Sequence, residues 1–189
     1  MLAGVDLHIR HGERVALLGR NGSGKTTLMR VITGDIMPAS GKVRVGSGVR
    51  VGYFAQEQQT LDPALTVLEQ AGRAAPLPES DLRAELHKFL FGGDMVYRCI
   101  RDLSYGERAR LMLALLVLKE TSLLLLDEPM NHLDIDAREE FEQALMAFPG
   151  TILMVLHDRY AVEQLATRVV ELEDGKIVER YDAAVEAIG

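Results

Sequence analysis

A glycine-rich segment that ends in lysine and threonine carries the strongest chemical signal in this sequence. Residues 19–26 read Gly-Arg-Asn-Gly-Ser-Gly-Lys-Thr and fit the pattern G-x-x-x-x-G-K-[ST]. In this pattern, backbone N–H groups and the start of the following helix surround phosphate oxygens. Lys25 is expected to reach the β and γ phosphates, and Thr26 to place a hydroxyl on Mg²⁺. The residues predicted to bind ATP are Gly19, Arg20, Asn21, Gly22, Ser23, Gly24, Lys25, Thr26 and Thr27.

Two carboxylates follow a run of four leucines at residues 123–126. The run predicts a buried parallel strand, so Asp127 and Glu128 lie at its C-terminal end, where open α/β sheets bind ligands. Asp127 is expected to hold Mg²⁺ through water, and Glu128 to orient or deprotonate the attacking water. We expect this strand to neighbour the one that leads into the glycine-rich loop. Together the two motifs predict a Mg-dependent nucleoside triphosphate site, but they do not distinguish a small-molecule kinase from a GTPase or a transport ATPase.

The elements that must position these groups follow from apolar periodicity. Apolar runs predict strands at 15–18, 123–126 and 152–156, and alternation predicts strands at 5–9, 42–45 and 49–54 with a hairpin at 168–178. Helices are predicted at 25–33, 64–75, 79–90, 104–119 and 136–147. Alternating strands and helices predict a three-layer α/β sandwich of the P-loop NTPase type with a mostly parallel core sheet. A small antiparallel β layer and a compact helical insert complete the prediction.

Composition restricts the classes of protein that fit. The 189 residues suit one domain, with a core at about 1–60 and 100–189 and the insert at about 61–103. A net charge of −7 argues against broad nonspecific nucleic-acid binding. The longest apolar stretch, residues 111–118, is far below the ~20 residues of a membrane span, so direct membrane insertion is not expected. The N-terminus lacks a signal-peptide pattern, which favours a cytoplasmic location.

A short segment before the acidic pair narrows the function. Residues 103–107 read Leu-Ser-Tyr-Gly-Glu and resemble the signature loop of ATP-binding cassette (ABC) proteins, usually LSGGQ. Without that resemblance, Ser104 and Glu107 are simply a helix capping box. The resemblance implies that Ser104, Tyr105, Gly106 and Glu107 contact ATP held by a second cassette, so that two domains facing head to tail build each site. Tyr105 replaces the usual first glycine, which leaves the backbone there less free.

Three further matches extend the resemblance over nearly the whole chain. Gln56 matches the Q-loop glutamine, which touches Mg²⁺ or the attacking water. Asp134 matches the D-loop aspartate that couples the facing sites, and His157 matches the switch histidine that contacts the γ phosphate. Outside the family these would be a solvated loop residue, a helix cap and a structural histidine. The resemblance implies catalytic residues Glu128, His157, Gln56 and Lys25, and metal-site residues Thr26, Gln56 and Asp127.

Details within the motifs resemble one group of the family, the soluble ABC-F ATPases. These details are Glu107 in place of glutamine, Asn131-His132 before the D-loop aspartate, and His157-Asp158-Arg159 after a core strand. ABC-F proteins join two cassettes in one chain and act on ribosomes, and this chain is most similar to the second cassette. The implied ligands are ATP and Mg²⁺. The implied partners are a second cassette, from a homodimer or another part of the same chain, and a ribosome.

The sequence leaves alternatives open. A nucleotide-binding subunit of a membrane transporter would share every core motif, and a module that binds nucleotide without turnover would share most of them. A small-molecule kinase is disfavoured by the signature and D-loop segments. Residues 1–52 contain no Phe, Tyr or Trp, whereas the family stacks adenine on an aromatic residue before the phosphate loop. We therefore expect weak discrimination between ATP and GTP.

Overall fold

The computed structural model describes residues 2, 4–54, 61–131 and 133–182, and within them the backbone forms one mixed sheet. Its strands are β1 (Arg14–Leu18), β2 (Val51–Phe54), β3 (Leu123–Asp127), β4 (Thr151–Val155), β5 (Arg168–Glu173) and β6 (Lys176–Asp182). They lie in the order β2-β3-β4-β1-β5-β6. All neighbouring strands are parallel except β5 and β6. The predicted α/β class and mostly parallel sheet are confirmed.

Six α-helices connect the strands of the described residues. They are α1 (Lys25–Thr33), α2 (Val67–Ala74), α3 (Glu79–Lys88), α4 (Tyr105–Leu118), α5 (Ile135–Met146) and α6 (Arg159–Leu165), and two short 3₁₀ helices lie at Gly93–Tyr97 and Ile100–Asp102. The first five agree with the predicted helices to within three residues. Helix α6 was not predicted. Its N-cap, Asp158, accepts a hydrogen bond from the Tyr160 N–H at 2.8 Å.

Backbone contacts divide the chain into two compact units. The α/β unit contains the sheet with α1 and α6, from the described residues of 1–54, 122–129 and 150–189. The helical unit contains α2 to α5, from the described residues of 55–121 and 130–149, and so includes the predicted insert. No helix among the described residues has both the length and the apolar character that a membrane crossing requires.

The core of the α/β unit forms around the central strands. All five residues of β4 are buried, as are the middle three of β1 and β3. Parallel strands covered on both faces read as continuous apolar runs, which explains why the sequence predicted them so directly. Helix α1 contributes Leu28 and Met29 to this core. Other buried members of the cluster are Val15, Leu17, Leu125, Leu153, Val155, Val170 and Leu172.

The helical unit is organised around α4. Nine of its 14 residues are buried, which is typical of a helix enclosed on most of its circumference. Capping boxes begin both α2, at Thr66 and Glu69, and α4, at Ser104 and Glu107. In each box the hydroxyl accepts the N3 backbone N–H while the glutamate accepts the N-cap N–H, so two otherwise unpaired donors are satisfied. The predicted box at Ser104 is confirmed.

Two predicted strands are wrong: neither residues 5–9 nor residues 42–45 are extended partners in the sheet. Val5, Leu7 and Ile9 do alternate, and their side chains pack on the α/β core without backbone pairing. At 42–45 the apolar side chains remain exposed, with Val43 at 44% and Val45 at 42%. A segment with no buried face has nothing to fix a strand register. Among the described residues, β5 and β6 form the antiparallel pair.

Candidate active site

The glycine-rich loop joins the end of β1 directly to the first turn of α1. Gly19, Gly22 and Gly24 have φ values of 141°, 78° and 110°, in the region that favours glycine. At Gly19 a Cβ atom would lie 2.7 Å from the Leu172 carbonyl oxygen, so this position has no room for a side chain. The loop backbone can therefore adopt a path around an anion that other residues would obstruct.

Two polar groups of this loop are buried in a way that suits a phosphate. Lys25 is 6% exposed, and its Nζ donates to the carbonyl oxygens of Gly19 at 2.8 Å and Arg20 at 3.2 Å. The Ser23 Oγ is buried and has no hydrogen-bond partner within the described residues. Buried polar groups are almost always paired, and a phosphate oxygen would supply both groups with an acceptor. This part of the structure fits a nucleoside triphosphate.

The C-terminal ends of four neighbouring strands meet at one edge of the sheet. Asp127 at the end of β3 pairs in register with Val155 at the end of β4, and Leu17 of β1 pairs with the same residue from the other side. The predicted adjacency of β1 and β3 is therefore wrong, because β4 lies between them. The intervening strand is β4, which ends at Val155, two residues before His157. The arrangement is the ligand-binding edge of a parallel α/β sheet.

Asp127 has a hydrogen-bond donor on the adjacent strand. Tyr53 of β2 pairs in register with Leu125, and Asp127 lies two residues further along the same face. The Tyr53 hydroxyl donates to Asp127 Oδ2 at 3.3 Å. Burial and then the negative charge of Asp127 raise the pKa of Tyr53 to about 12, so the phenol stays protonated as a donor. This hydrogen bond orients the carboxylate that the sequence assigned to Mg²⁺.

Glu128 and His157 contact each other at this edge. Nε2 of His157 lies 2.8 Å from Oε1 of Glu128, and because a carboxylate accepts, the ring proton is assigned to Nε2. Both side chains are partly exposed, at 45% for His157 and 28% for Glu128. Glu128 also has φ of 51°, a left-handed conformation that costs a non-glycine residue about 1–3 kcal/mol and is concentrated at functional sites.

The donor set also fits a magnesium ion. Asp127 offers a carboxylate, and Thr26 places a hydroxyl in the first turn of α1. Mg²⁺ is usually held by one or two carboxylates together with substrate phosphates, rather than by a cage of protein ligands. Consistent with that pattern, the described residues contain no cluster of three His, Cys, Asp or Glu side chains. Gln56, the third predicted ligand, lies outside the described residues.

In the helical unit the predicted signature residues begin α4. The Ser104 Oγ accepts the Glu107 N–H at 3.1 Å, and Glu107 Oε2 accepts the Ser104 N–H at 2.7 Å. Arg98 donates to the other Glu107 oxygen at 2.8 Å. Burial alone would raise the pKa of Glu107, but the Ser104 N–H and Arg98 outweigh it and lower the pKa below its ordinary value. Tyr105 is the first helical residue.

The predicted D-loop aspartate begins α5. Asp134 Oδ1 accepts the Ala137 N–H at 2.8 Å, so the alternative role of a helix cap is confirmed for this side chain. A capping oxygen retains a second lone pair and stands at the positive end of the helix. Ser104 is placed in the same way at the start of α4. His132, which precedes the aspartate in the ABC-F pattern, lies outside the described residues.

Comparison with known proteins identifies the family to which this fold belongs. The family model described as "ABC transporter" matches residues 2–131, more than half of the chain. The chain belongs to the ABC transporter family. This ABC domain is 45% identical over 180 residues to YdiF of Bacillus subtilis strain 168, named "Putative ATP-binding protein", with 95% of the chain and 28% of YdiF covered.

A second relative supports the ABC-F resemblance. The ABC domain is 43% identical over 173 residues to "ABC transporter F family member 5" of Arabidopsis thaliana, with 90% of the chain and 25% of that protein covered. The chain thus spans less than a third of either relative. The dimeric post-hydrolysis structure of the cassette MJ0796 with ADP and Pi has a TM-score of 0.76 and 23% identity, and covers 96% of this chain and 90% of that one. This likeness supports the fold.

Two features of the ABC domain were missed by sequence reasoning. Tyr53 was seen only as the end of a strand, although residues 51 and 53 share a face and the register of β2 on β3 would have directed its ring toward Asp127. The left-handed backbone of Glu128 has no signal in the sequence, because glutamate does not favour that region. The structure brings together Tyr53, Asp127, Glu128 and His157 in the α/β unit, and places Ser104 and Asp134 in the helical unit.

Proposed function

We propose that this ABC domain binds ATP with Mg²⁺ and hydrolyses it to ADP and phosphate. The observation that carries the proposal is the 2.8 Å contact between Glu128 and His157, at the ends of adjacent parallel strands in the same unit as the glycine-rich loop. A carboxylate held by a histidine near a triphosphate site has the geometry of a general base for water. The buried Lys25 ammonium, and the buried Ser23 hydroxyl that has no hydrogen-bond partner among the described residues, support the triphosphate part of the proposal.

Each site residue of the α/β unit has a proposed role in this reaction. Lys25 exchanges its carbonyl contacts for the β and γ phosphate oxygens, and the loop N–H groups bind the phosphates. Thr26 and Asp127 hold Mg²⁺, which when bound neutralises charge as the terminal phosphoryl group departs. Tyr53 keeps the Asp127 carboxylate in place through its hydroxyl. Gln56, outside the described residues, is proposed to contact Mg²⁺ or the attacking water.

Glu128 orients the attacking water and takes its proton. His157 holds the carboxylate through Oε1, so the orientation of the base does not depend on the nucleotide alone. We propose that His157 also contacts the γ phosphate, which would couple the position of the base to the presence of ATP rather than ADP.

The helical unit is proposed to complete the site of a second cassette. Ser104 and Asp134 each stand at a helix N-terminus, where backbone N–H groups and the helix dipole favour anions. In the proposed complex, Ser104, Tyr105, Gly106 and Glu107 contact ATP bound to the phosphate loop of the partner. This part of the proposal is supported by the signature and D-loop motifs, and the dimeric structure of MJ0796 gives a precedent in a protein of the same fold.

The ABC-F resemblance extends the proposal to a ribosome as the partner of the whole protein, in the cytoplasm. Support comes from the sequence motifs and from the similarity to an F family member. Co-sedimentation with 70S ribosomes in the presence of Mg-ATP tests this part, with a Glu128→Gln variant used to block turnover. Binding to detergent-solubilised transport domains, with no binding to ribosomes, would instead support a transporter subunit.

The enzymatic part is tested by comparing wild type, Glu128→Gln and Lys25→Ala in two assays. In Glu128→Gln, phosphate release should fall by about 10²-fold or more, because a positioned acid–base group contributes 10²–10⁴-fold, while binding of a fluorescent ATP analogue persists. Lys25→Ala should lose binding itself. Unchanged turnover in Glu128→Gln would remove this residue from the mechanism, and a wild type that binds without turnover would indicate a nucleotide-binding module.

A further inference from the structure

The two helices that carry the proposed interface with a second cassette touch each other at their first turns. Gly106 of α4 lies so close to Ala137 of α5 that a Cβ on the glycine would be 2.6 Å from the alanine Cβ. Ala137 is also the residue whose N–H donates to the cap oxygen of Asp134. The signature loop and the D-loop therefore meet at the contact between Gly106 and Ala137. Gly106 lies two residues after Ser104, and Ala137 supplies the N–H in the capping bond of Asp134.

An ion pair between a buried arginine and a half-exposed glutamate joins the same two helices one turn further on. The Arg110 side chain is 4% exposed, and one of its terminal nitrogens lies 2.8 Å from Glu140 Oε2. Arg110 follows Gly106 by four residues and Glu140 follows Ala137 by three, so each contact falls on the same face of its helix. We refer to Gly106, Arg110, Ala137 and Glu140 as the helix clamp.

Glu140 is the carboxylate that pairs with the buried Arg110 guanidinium. The other contacts of Arg110 are a 3.4 Å hydrogen bond to the Phe89 carbonyl and a position 5.5 Å from the centre of the Phe91 ring. Its Nε has no hydrogen-bond partner among the residues that the structure describes. Because the Glu140 carboxylate is 47% exposed, losing it costs less than breaking a fully buried pair, but the buried guanidinium still ties α5 to α4 at this position.

We propose that Arg110 and Glu140 are positioning residues for ATP-dependent pairing: the helix clamp fixes the spacing between Ser104 and Asp134 so that both reach the second cassette together. The inference rests on the proposed function, which supplies the second cassette. Neither clamp residue needs to touch nucleotide. They act through the first turns of α4 and α5, where the cap oxygens of the two loops are held.

The test uses the 189-residue chain with Glu128→Gln as the parent, and adds Glu140→Gln. Glutamine keeps the shape of the side chain and removes its charge, and Glu140 is 47% exposed, so the fold should persist. Analytical ultracentrifugation with Mg-ATP should show pairing weakened by about fivefold, which corresponds to roughly 1 kcal/mol. The matched control is Glu139→Gln, the same charge change at the exposed neighbouring position, which should change pairing by less than about twofold.

A double-mutant cycle separates positioning from general destabilisation. The double variant Glu140→Gln/Ser104→Ala should weaken pairing by less than the product of the two single effects, because Ser104 contributes less to pairing once Glu140→Gln has displaced it. The effects of Glu139→Gln and Ser104→Ala on pairing should instead simply multiply. Binding of a fluorescent ATP analogue to the monomer should be unchanged. If the parent pairs and the added Glu140→Gln change leaves pairing equally strong, the positioning role of the helix clamp is wrong, but the proposed function is unaffected. A parent that stays monomeric with Mg-ATP would contradict the proposed composite site and this inference with it.

Discussion

The two units of this ABC domain present functional groups in opposite ways. In the α/β unit, site residues follow the C-terminal ends of strands and bind one another, as Tyr53 does with Asp127 and His157 with Glu128. In the helical unit, the oxygens of Ser104 and Asp134 bind the N–H groups of their own helices. In the proposed function, the first arrangement forms the nucleotide site, and the second presents helix N-termini to a nucleotide bound by a second cassette.

Backbone conformation also differs between Glu128 and the two helix-capping motif residues. Glu128 has φ of 51°, whereas Ser104 and Asp134 have ordinary extended cap conformations with φ of −64° and −69°. Strain of about 1–3 kcal/mol is typical of residues that act chemically, and preferred N-caps stabilise their helices by about 1 kcal/mol. In the proposed mechanism Glu128 gives up backbone stability for its catalytic position, while Ser104 and Asp134 also stabilise their helices as caps.

The largest expected effect tests whether the helical unit depends on close helix packing. Gly106→Ala places a methyl group 2.6 Å from the Ala137 Cβ, and we expect overpacking to destabilise the domain by about 1–3 kcal/mol in urea unfolding. Nucleotide binding by the α/β unit should persist. A fully stable Gly106→Ala protein would show that α4 and α5 can separate freely, which would remove the packing half of the comparison.

The control for this change is a second glycine of the helical unit. Gly72 lies in α2, and a Cβ there would make only an ordinary contact, 3.8 Å from Leu82. Gly72→Ala should therefore stabilise the domain by about 0.5–1 kcal/mol through helix propensity. Opposite signs at the two glycines would separate steric contact from backbone preference.

A smaller effect is expected in the α/β unit when Tyr53 loses its hydroxyl. Tyr53→Phe removes a hydrogen bond to Asp127, worth about 1 kcal/mol. About fivefold more Mg²⁺ should then be needed for half-saturation of fluorescent-nucleotide binding. Tyr97→Phe is the matched control, because that hydroxyl contacts Glu79 and Arg83 in the helical unit. Equal Mg²⁺ dependence in both variants would mean that Tyr53 does not position Asp127.

The smallest effect concerns the dependence of stability on pH. The folded pKa of Glu107 lies below its ordinary value of 4.5, so its contribution is complete above that value and is lost as the pH falls through the lowered pKa. Glu107→Gln should lower Tm near neutral pH, and the difference from wild type should shrink in acid. The effect should stay below about 1 kcal/mol, the usual value of a cap. A difference that grows in acid would contradict the capping role.

The sequence predicted elements well wherever burial and local chemistry agree. Strands β1, β3 and β4 are apolar runs buried on both faces, and Ser104 with Glu107 specify the start of α4 by themselves. The Asp174-Gly175 turn between β5 and β6 was predicted for the same reason, since both residues adopt positive φ. Thr66 and Glu69 carry the same kind of sequence signal for the start of α2.

Predictions failed where contacts between residues distant in the sequence determine the structure. Residues 5–9 alternate like a strand, yet packing of their side chains on the core satisfies the pattern without sheet pairing. The order of the strands, with β4 between β1 and β3, follows from the topology of the whole sheet, which apolar runs do not encode. Helix α6 has only seven residues, too few for a periodic signal. Tyr53 contacts Asp127, which lies 74 positions further along the chain. Arg110 of the helix clamp contacts Glu140, 30 positions further along.

Mixing two inactive variants tests the central claim that one unit binds the nucleotide while the other serves a second cassette. Lys25→Ala disables the phosphate loop and Ser104→Ala disables the signature, so each variant alone should have little phosphate release. In a mixed dimer, one of the two composite sites combines an intact Lys25 with an intact Ser104. Equal mixing should therefore restore up to roughly a quarter of wild-type activity, if pairing is random and symmetric. A mixture that releases phosphate no faster than the sum of its separate components would contradict the composite site.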